Sequence, residues 1–444
     1  MKQIVVAGGG HGGIAAASML AARGYDVTVY ERHSENAMGY DWTDIFAPDA
    51  FAQIEMPMPD DNLYSYKENM TFYGPSFRTG VRQDIPKDKL EIKMERRDIY
   101  AHIIKHAKEN GAKFVFDCAV SGPIVLGNRV VGIRTASGSV YADLVIDACG
   151  LDSPVKKGLP PVCGINPETG KNNQFYVYRA FYNRATDENV ADKYKVCLFA
   201  ERKLGIGWVA TEEVFTDLLI GRFEPFDLKE AERTAEYYRK TNPSLGAELK
   251  RGGQFVKIPV RQPLSKLICD GYAAIGDVAY MTVPIIGSGI ANSFKAARML
   301  AETIEKDKQS AFSADTLWEY QVKYYKALGA GFATLACVKE ALTIFTPEEL
   351  DYLFDNGVLI ASDLSIDADT TDLLKIFEGN NLQSVKKKVF NVVKDKTLLK
   401  KIMVVSKKIA AVASVCAAMP KKYAAGPVEK WVRSYEKAIN MKLV

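Results

Sequence analysis

Ile4-Val5-Val6-Ala7-Gly8-Gly9-Gly10-His11-Gly12-Gly13-Ile14 lies near the start of the chain, and Asp26-Val27-Thr28-Val29-Tyr30-Glu31 follows it closely. The first is a short apolar run broken by glycines, then an Ala-rich stretch of helical pattern from Ile14 to Arg23 that Gly24 stops. The second reads as another strand, so the two make a β-turn-α-β unit. In Gly8-x-Gly10-x-x-Gly13, Gly8 permits the tight turn, Gly10 admits a pyrophosphate to the backbone, and Gly13 lets helix and strand pack closely. The helix start offers free N–H groups and partial positive charge to those phosphates. Glu31 ends the second strand, where a carboxylate accepts hydrogen bonds from ribose hydroxyls and repels a 2′-phosphate. The spacing predicts a bound ADP moiety. His11, inside the loop, reads as a structural histidine.

Downstream, residues 32–90 are rich in Pro, Met, Asp and aromatics and read as covering loops. Arg96 to Asn110 has helical periodicity ending at Gly111; Lys113 to Val120 and the turns at Gly127-Asn128 and Ser137-Gly138 predict an antiparallel meander. Leu144-Val145-Ile146 reads as a buried strand. Between about 172 and 262, aromatic and β-branched runs predict a second, mostly antiparallel sheet interrupted by a helix from Leu228 to Lys240. The chain then returns to a strand, Tyr272 to Ile275, and a long helix from Ile290; beyond residue 315 the pattern is helical.

The 444 residues are 48% hydrophobic and 25% charged, which excludes collagen-like and wholly disordered readings. Seven scattered Cys without a C-x-x-C, and only four His, argue against a disulfide framework or a metal centre and for a reducing cytoplasm. No export signal or transmembrane span is expected. The net charge of +4 hides a segregation. Residues 381–444 hold 14 Lys and one Arg against one Asp and two Glu, a net of +12, whereas 346–380 carry nine acids against Lys375, a net of −8.

The segment that selects the cofactor is Gly276-Asp277 followed by Pro284-Ile-Ile-Gly287-Ser288-Gly289-Ile290. It resembles the late G-D and P-x-x-G-x-G-I motifs of the p-hydroxybenzoate hydroxylase-type flavoprotein superfamily, which contains the geranylgeranyl reductases and the aromatic hydroxylases. The resemblance implies FAD, with Asp277 on the ribityl chain and Gly287, Ser288 and Gly289 presenting N–H groups to the flavin N1 and O2. Independently, a glycine turn opening a helix suits the negative charge of a reduced flavin. Arg97-x-x-Tyr100-x-x-x-Ile104 resembles the superfamily helix whose arginine lies near FAD. Ala142-Asp143-Leu-Val-Ile-Asp147-Ala148-Cys149-Gly150 resembles its A-D-L-V-I-G-A-D-G strand, with Cys149 in place of an Asp associated with FAD and NADPH handling in the hydroxylases. Gly205-Ile-Gly207-Trp208 resembles the reductases' G-Y-x-W-x-F-P signature, but Ala210-Thr211 stand where Phe-Pro is expected. The cysteine of the archaeal reductases is absent, and Gly39-Tyr40-Asp41-Trp42 runs in its place.

These readings predict an α/β fold: a discontinuous Rossmann-like FAD-binding domain (1–155 with 263–315), an inserted, mostly antiparallel α+β substrate domain (156–262), and a helical C-terminal region (316–444). The expected activity is FAD-dependent reduction of C=C bonds in a hydrophobic small molecule, a prenyl chain or a planar enone such as a flavonoid or steroid. Tyr40 and Asp41 are the candidate proton donors, with Trp42 and Trp208 against the substrate. The alternatives are a flavin monooxygenase of an aromatic substrate and a flavoprotein electron carrier. A halogenase is disfavoured, since W-x-W-x-I-P is absent. No second dinucleotide loop appears, so NAD(P)H or a reduced ferredoxin or flavodoxin remains as donor. The basic C-terminal pattern (Lys386 to Ile409) reads either as a solvated helix paired with the acidic segment or as a peripheral contact with a membrane or an acidic redox partner. Nucleic-acid binding is not expected.

Overall fold

The computed structural model describes residues 2–165, 168–170, 173–186, 190, 192–364 and 395–443. Strand β1 (Gln3–Ala7), helix α1 (His11–Ala22) and strand β2 (Asp26–Tyr30) form the β-α-β unit. Residues 32–90, expected as loops, contain four short strands: β3 (Thr43–Phe46), β4 (Tyr64–Tyr66), β5 (Thr71–Tyr73) and β6 (Gly80–Arg82). Then come β7 (Ile92–Glu95), α2 (Arg96–Glu109) and β8 (Lys113–Val115). The meander is β9 (Val120–Leu126), β10 (Arg129–Thr135) and β11 (Gly138–Tyr141), followed by the buried β12 (Leu144–Asp147) and the short α3 (Pro154–Lys157).

The strands β13 (Gln174–Arg184), β14 (Tyr194–Leu198), β15 (Gly205–Thr211) and β16 (Phe215–Arg222), helix α4 (Leu228–Thr241) and β17 (Leu245–Pro259) build the second sheet. Strands β18 (Ile268–Cys269) and β19 (Tyr272–Ala274) return to the first, before α5 (Ile290–Lys306). The remaining described helices are α6 (Ala314–Tyr324), α7 (Ala330–Leu342), α8 (Pro347–Asp355), α9 (Ala361–Leu364), α10 (Lys396–Ala417) and α11 (Ala425–Ile439).

The first sheet runs β18-β19-β12-β1-β2-β8, parallel except at the β18–β19 edge. Lys113–Val115 therefore belongs here, paired with β2, and not to the meander. The central strands β1, β12 and β19 carry unbroken buried runs because helices α1 and α5 cover one face and the chain from β9 to β11 the other. The second sheet, β17-β13-β16-β15-β14-β5-β6, is antiparallel except where β5 runs beside β14. It takes its last two strands from residues 71–82, so the substrate-domain sheet is not confined to 156–262. A small third sheet, β3-β7-β4, joins the two.

Helices α10 and α11 pack onto the core of the first domain. Val412, Val428, Trp431 and Tyr435 are buried there, Tyr435 Oη donates to Pro263 O (3.1 Å) and Trp318 Nε1 to Pro420 O (2.8 Å). Lys401 pairs with Glu349 (2.7 Å), and Lys408 with Glu340 of α7, so part of the basic charge is answered by nearby acids. The remainder of the acidic segment, 365–380, and the start of the basic one, to residue 394, lie outside the described residues. Among the described residues, no single helix is long and apolar enough to cross a membrane.

Candidate active site

Gly8 has φ +87°, a left-handed conformation that side chains resist, and a Cβ there would lie 2.8 Å from Ala148 O. A Cβ on Gly13 would lie 2.5 Å from Ala148 Cβ, so β1, α1 and β12 approach as closely as they do only because that carbon is missing. Gly10 caps α1 without a side-chain hydrogen bond, which leaves the helix's first N–H groups free to face the cavity. Glu31, almost fully buried, accepts from Gly9 N (2.7 Å), His33 N (2.9 Å) and the His33 ring (2.8 Å). The carboxylate is thus fixed at the end of the loop with lone pairs to spare.

From Glu31 a cavity of about 1170 Å³ runs past Gly8–Gly12 and Arg96 to Asp277 and Gly287–Ile290, then out across the second sheet. At its middle, Asp277 Oδ1 accepts from Thr282 Oγ1 (2.8 Å), and burial raises its carboxyl above the ordinary value. Gly287 has φ +73°, and α5 begins at Gly289 with no side-chain cap. A helix-start anion cradle, a fixed carboxylate at the ribose end and a second uncapped helix start line one elongated cavity, which fits a dinucleotide with an anionic ring at its far end. The residues present fit FAD.

Around the cavity's narrow part, Arg96 holds Asp44 through Nε (2.7 Å) and Nη2, and its guanidinium lies over the rings of Tyr40 (4.1 Å) and Trp42 (5.7 Å). Burial pushes the Tyr40 phenol up to about 12, against the opposing pull of Arg96. His11 stacks on Tyr100 at 4.3 Å, its Nε2 has no hydrogen-bond partner among the described residues, and burial and then Arg96 lower its pKa to about 3. The imidazole is neutral at pH 7.

The floor of the outer part follows from strand register. Phe72, Val196, Trp208, Leu219, Arg179 and Gln254 stand opposite one another from β5 to β17, and all face the cavity. Arg179 is neutralised by Asp217 (2.9 and 2.6 Å) and donates to Thr43 O, so the row is apolar from Phe72 to Leu219 and polar at Arg179 and Gln254. Its guanidinium lies between Trp42 (5.0 Å) and Trp208 (5.2 Å).

Of the residues singled out from sequence, Gly8, Gly10, Glu31, Tyr40, Trp42, Trp208, Asp277, Gly287, Ser288, Gly289 and Ile290 line the cavity. Gly13 lies just behind it as a packing glycine, and Pro284 is buried away from it. Pro284, expected at the cofactor, is thus one correction, and two more follow. Arg97 is 81% exposed and among the described residues pairs with Asp98 (3.7 Å); Arg96, one residue earlier and turned by about 100° around the helix axis, faces the cavity instead. Asp41 points outward, where Arg251 and Gly252 N (2.8 Å) hold it. Arg96, Asp44 and Arg179 escaped the sequence reading because none belongs to a spaced motif. The run of two arginines before a helix was the only signal for Arg96.

Comparison with known proteins agrees with this geometry. A family profile described as an NAD(P)-binding Rossmann-like domain matches residues 6–49. The digeranylgeranylglycerophospholipid reductase of Haloferax volcanii is 26% identical over 328 residues, 68% of this chain and 75% of that one. The enzyme of the same name from Sulfolobus acidocaldarius is 22% identical over 83% of this chain and 84% of its own. Among solved structures, a geranylgeranyl bacteriochlorophyll reductase-like protein from Thermoplasma acidophilum superposes with a TM-score of 0.73 at 19% identity, covering 89% of this chain and 99% of that one. The flavin-dependent brominase Bmp2 follows with a TM-score of 0.60 at 16% identity over 98% of this chain and 99% of its own, a likeness of fold.

Proposed function

We propose that this chain is a geranylgeranyl reductase-like FAD-dependent oxidoreductase that saturates C=C bonds in the prenyl chains of a lipid. The observation that carries this reading is the apolar floor from Phe72 to Leu219, which joins the apolar cluster of Val177, Val256 and Ile258 beside Gly287. An apolar floor that crosses this many strands suits an extended chain better than a rigid planar flavonoid or steroid. The names of the curated relatives point the same way.

Reduced FAD, when bound, supplies a hydride to one carbon of the alkene. Tyr40 holds a proton on Oη and gives it to the other carbon; it lines the cavity, and burial keeps it protonated at neutral pH. Arg96 fixes that phenol from above and is itself fixed by Asp44. Trp42, Trp208 and Leu219 exclude water from the reacting carbons.

The electrons come from NAD(P)H or from an acidic carrier such as ferredoxin or flavodoxin. The exposed Lys421, Lys422, Lys430 and Lys437 of the C-terminal region offer a face for such a carrier or for an anionic membrane. Free thiols throughout the described chain suit a reducing cytoplasm, and we place the protein there, peripheral at the membrane when loading lipid.

The test is anaerobic reduction of the FAD-loaded protein followed by mixing with geranylgeraniol. Product gaining one H2 per double bond is expected. An oxygenated product on admitting air, or quinone reduction with the alkene intact, would overturn the assignment.

A further inference from the structure

The cavity floor crosses five inter-strand steps from β17 to β5, roughly 24 Å at about 4.8 Å per step. On β17 the row ends at Gln254; four residues along that strand Ile258, in one apolar cluster with Leu219 and Val256, lies 3.4 Å from where a Gly287 Cβ would be. At the other end, past Phe72, the lining changes chemistry. Met70 is two residues back along the chain from Phe72, and beside it Lys67, Gln83 and Glu91 enter the cavity wall.

Lys67 Nζ donates to Glu91 Oε2 at 2.6 Å, and the two side chains are only 6% and 12% exposed. The pairing is braced by Lys67 N donating to Glu91 O (2.8 Å). Gln83 is held by accepting from Met70 N (3.0 Å) and donating to Leu364 O (2.8 Å). A buried ion pair costs several kcal/mol per ion in lost hydration, and an apolar pair of similar volume is often as stable or more so. Packing alone therefore gives no reason to end an apolar trough this way. An ammonium also has three N–H donors, and Glu91 is the one side chain among the described residues that accepts from Lys67.

We propose that Lys67 and Glu91 form a polar seat for the free hydroxyl of an amphiphilic prenyl substrate, an alcohol or a glycerol ether, while the chain lies along the floor toward Gly287. The proposal rests on the reading of this site as a prenyl reductase and names what its substrate carries at the other end. The pair is neutral in sum, with spare donors on Lys67 and spare lone pairs on Glu91. A hydroxyl, both donor and acceptor, satisfies the two together. A phosphate would be brought against the Glu91 carboxylate in a poorly solvated place, where like charges repel strongly. A hydrocarbon end would cover N–H groups without replacing their hydrogen bonds, which costs the full desolvation of each.

The experiment is a binding titration of the oxidised, FAD-loaded protein, read from the perturbation of the flavin absorption band. The probes are geranylgeraniol, its methyl ether, geranylgeranyl monophosphate and the hydrocarbon without the hydroxyl. The alcohol is expected to bind at least about tenfold tighter than the hydrocarbon and the monophosphate, with the methyl ether between. In Lys67→Met combined with Glu91→Leu, chosen to keep the volume filled, the hydrocarbon should bind as tightly as the alcohol. Equal or tighter binding of the monophosphate or the hydrocarbon to the wild-type protein overturns the seat, as does an unchanged order in the double variant. The wild-type series decides the matter even if the variant does not fold. The titration requires no turnover: a clear preference for the alcohol with no alkene reduced counts against the proposed reaction, whereas reduction without preference counts against the seat.

Discussion

The guanidinium of Arg96 lies 4.1 Å from the centre of the Tyr40 ring, on the wall of the cavity that passes from the glycine loop to Gly289. The cation favours the ionised phenol while burial opposes it, and burial wins, leaving the group at about 12. Tyr40 is thus a retained proton at a fixed place. Replacing it with Phe keeps the ring under Arg96 and removes only Oη. Tyr40→Phe should lower the rate of alkene reduction about 10²- to 10⁴-fold, the span of general acid catalysis, with flavin content and prenyl-alcohol affinity unchanged. A single-turnover measurement after photoreduction checks it, and an unaltered rate would move the proton donor elsewhere. The rate should also lack an alkaline limb from this group until pH approaches about 12.

Arg96 and Asp44 neutralise each other with little access to water, their side chains being 15% and 10% exposed. Removing one partner strands the other. Arg96→Met should therefore destabilise the protein by about 3–5 kcal/mol, whereas Arg96→Met with Asp44→Leu should recover most of that loss. Urea unfolding of the two variants and the wild type measures the difference. The double variant should remain slow in alkene reduction, because nothing then fixes the Tyr40 phenol. Full activity in it would show that Arg96 serves stability alone.

The β-α-β unit was legible because its signals are local: a run, a glycine turn, a helix of the right length and an acid at the second strand's end. The cross-strand row of the floor was not, since facing residues such as Phe72 and Val196 are far apart in sequence and meet only through register. The strands at 43–82 are three or four residues long, too short for alternation to show, so they read as loops. Arg97 and Asp41 were each one residue from the side chain that faces the cavity. Neighbouring residues point about 100° apart on a helix and to opposite faces on a strand, so motif matching locates a site to the nearest turn but not the nearest side chain. The apolar stripe of α10 was visible, but a stripe does not say what covers it. The first-domain core and the apolar cluster around α8 do.

His11 links the loop to pH. Its imidazole is held neutral in the fold, at about 3 against 6.5 for an ordinary histidine, chiefly by burial. The unfolded chain binds a proton below 6.5 that the folded chain refuses. The contribution to stability is therefore complete above that value and is lost as pH falls toward 3. His11→Gln, which titrates nowhere, should lack this loss. Between pH 7.5 and pH 5.0 the wild type should lose about 1–2 kcal/mol more than His11→Gln in urea unfolding at saturating FAD. Parallel losses in the two proteins would mean that the imidazole is not shielded.

The C-terminal lysines require a test by charge and not by deletion. Cutting away α10 and α11 would uncover Tyr325, on which Trp431 and Tyr435 pack, and would unfold what it sought to probe. Lys421, Lys422, Lys430 and Lys437 are exposed, and reversing them to Glu leaves the buried stripe untouched. Each lysine near an anionic bilayer contributes about 1 kcal/mol, so the fourfold reversal should weaken binding to phosphatidylserine-containing vesicles at least about a hundredfold. The thermal midpoint should hardly change. Wild-type binding should also fade as salt rises, because the screening length shrinks to about 8 Å at 0.15 M. If vesicle binding survives the reversal while reduction by ferredoxin or flavodoxin slows, the face belongs to an electron donor. If neither changes, these lysines serve only solvation.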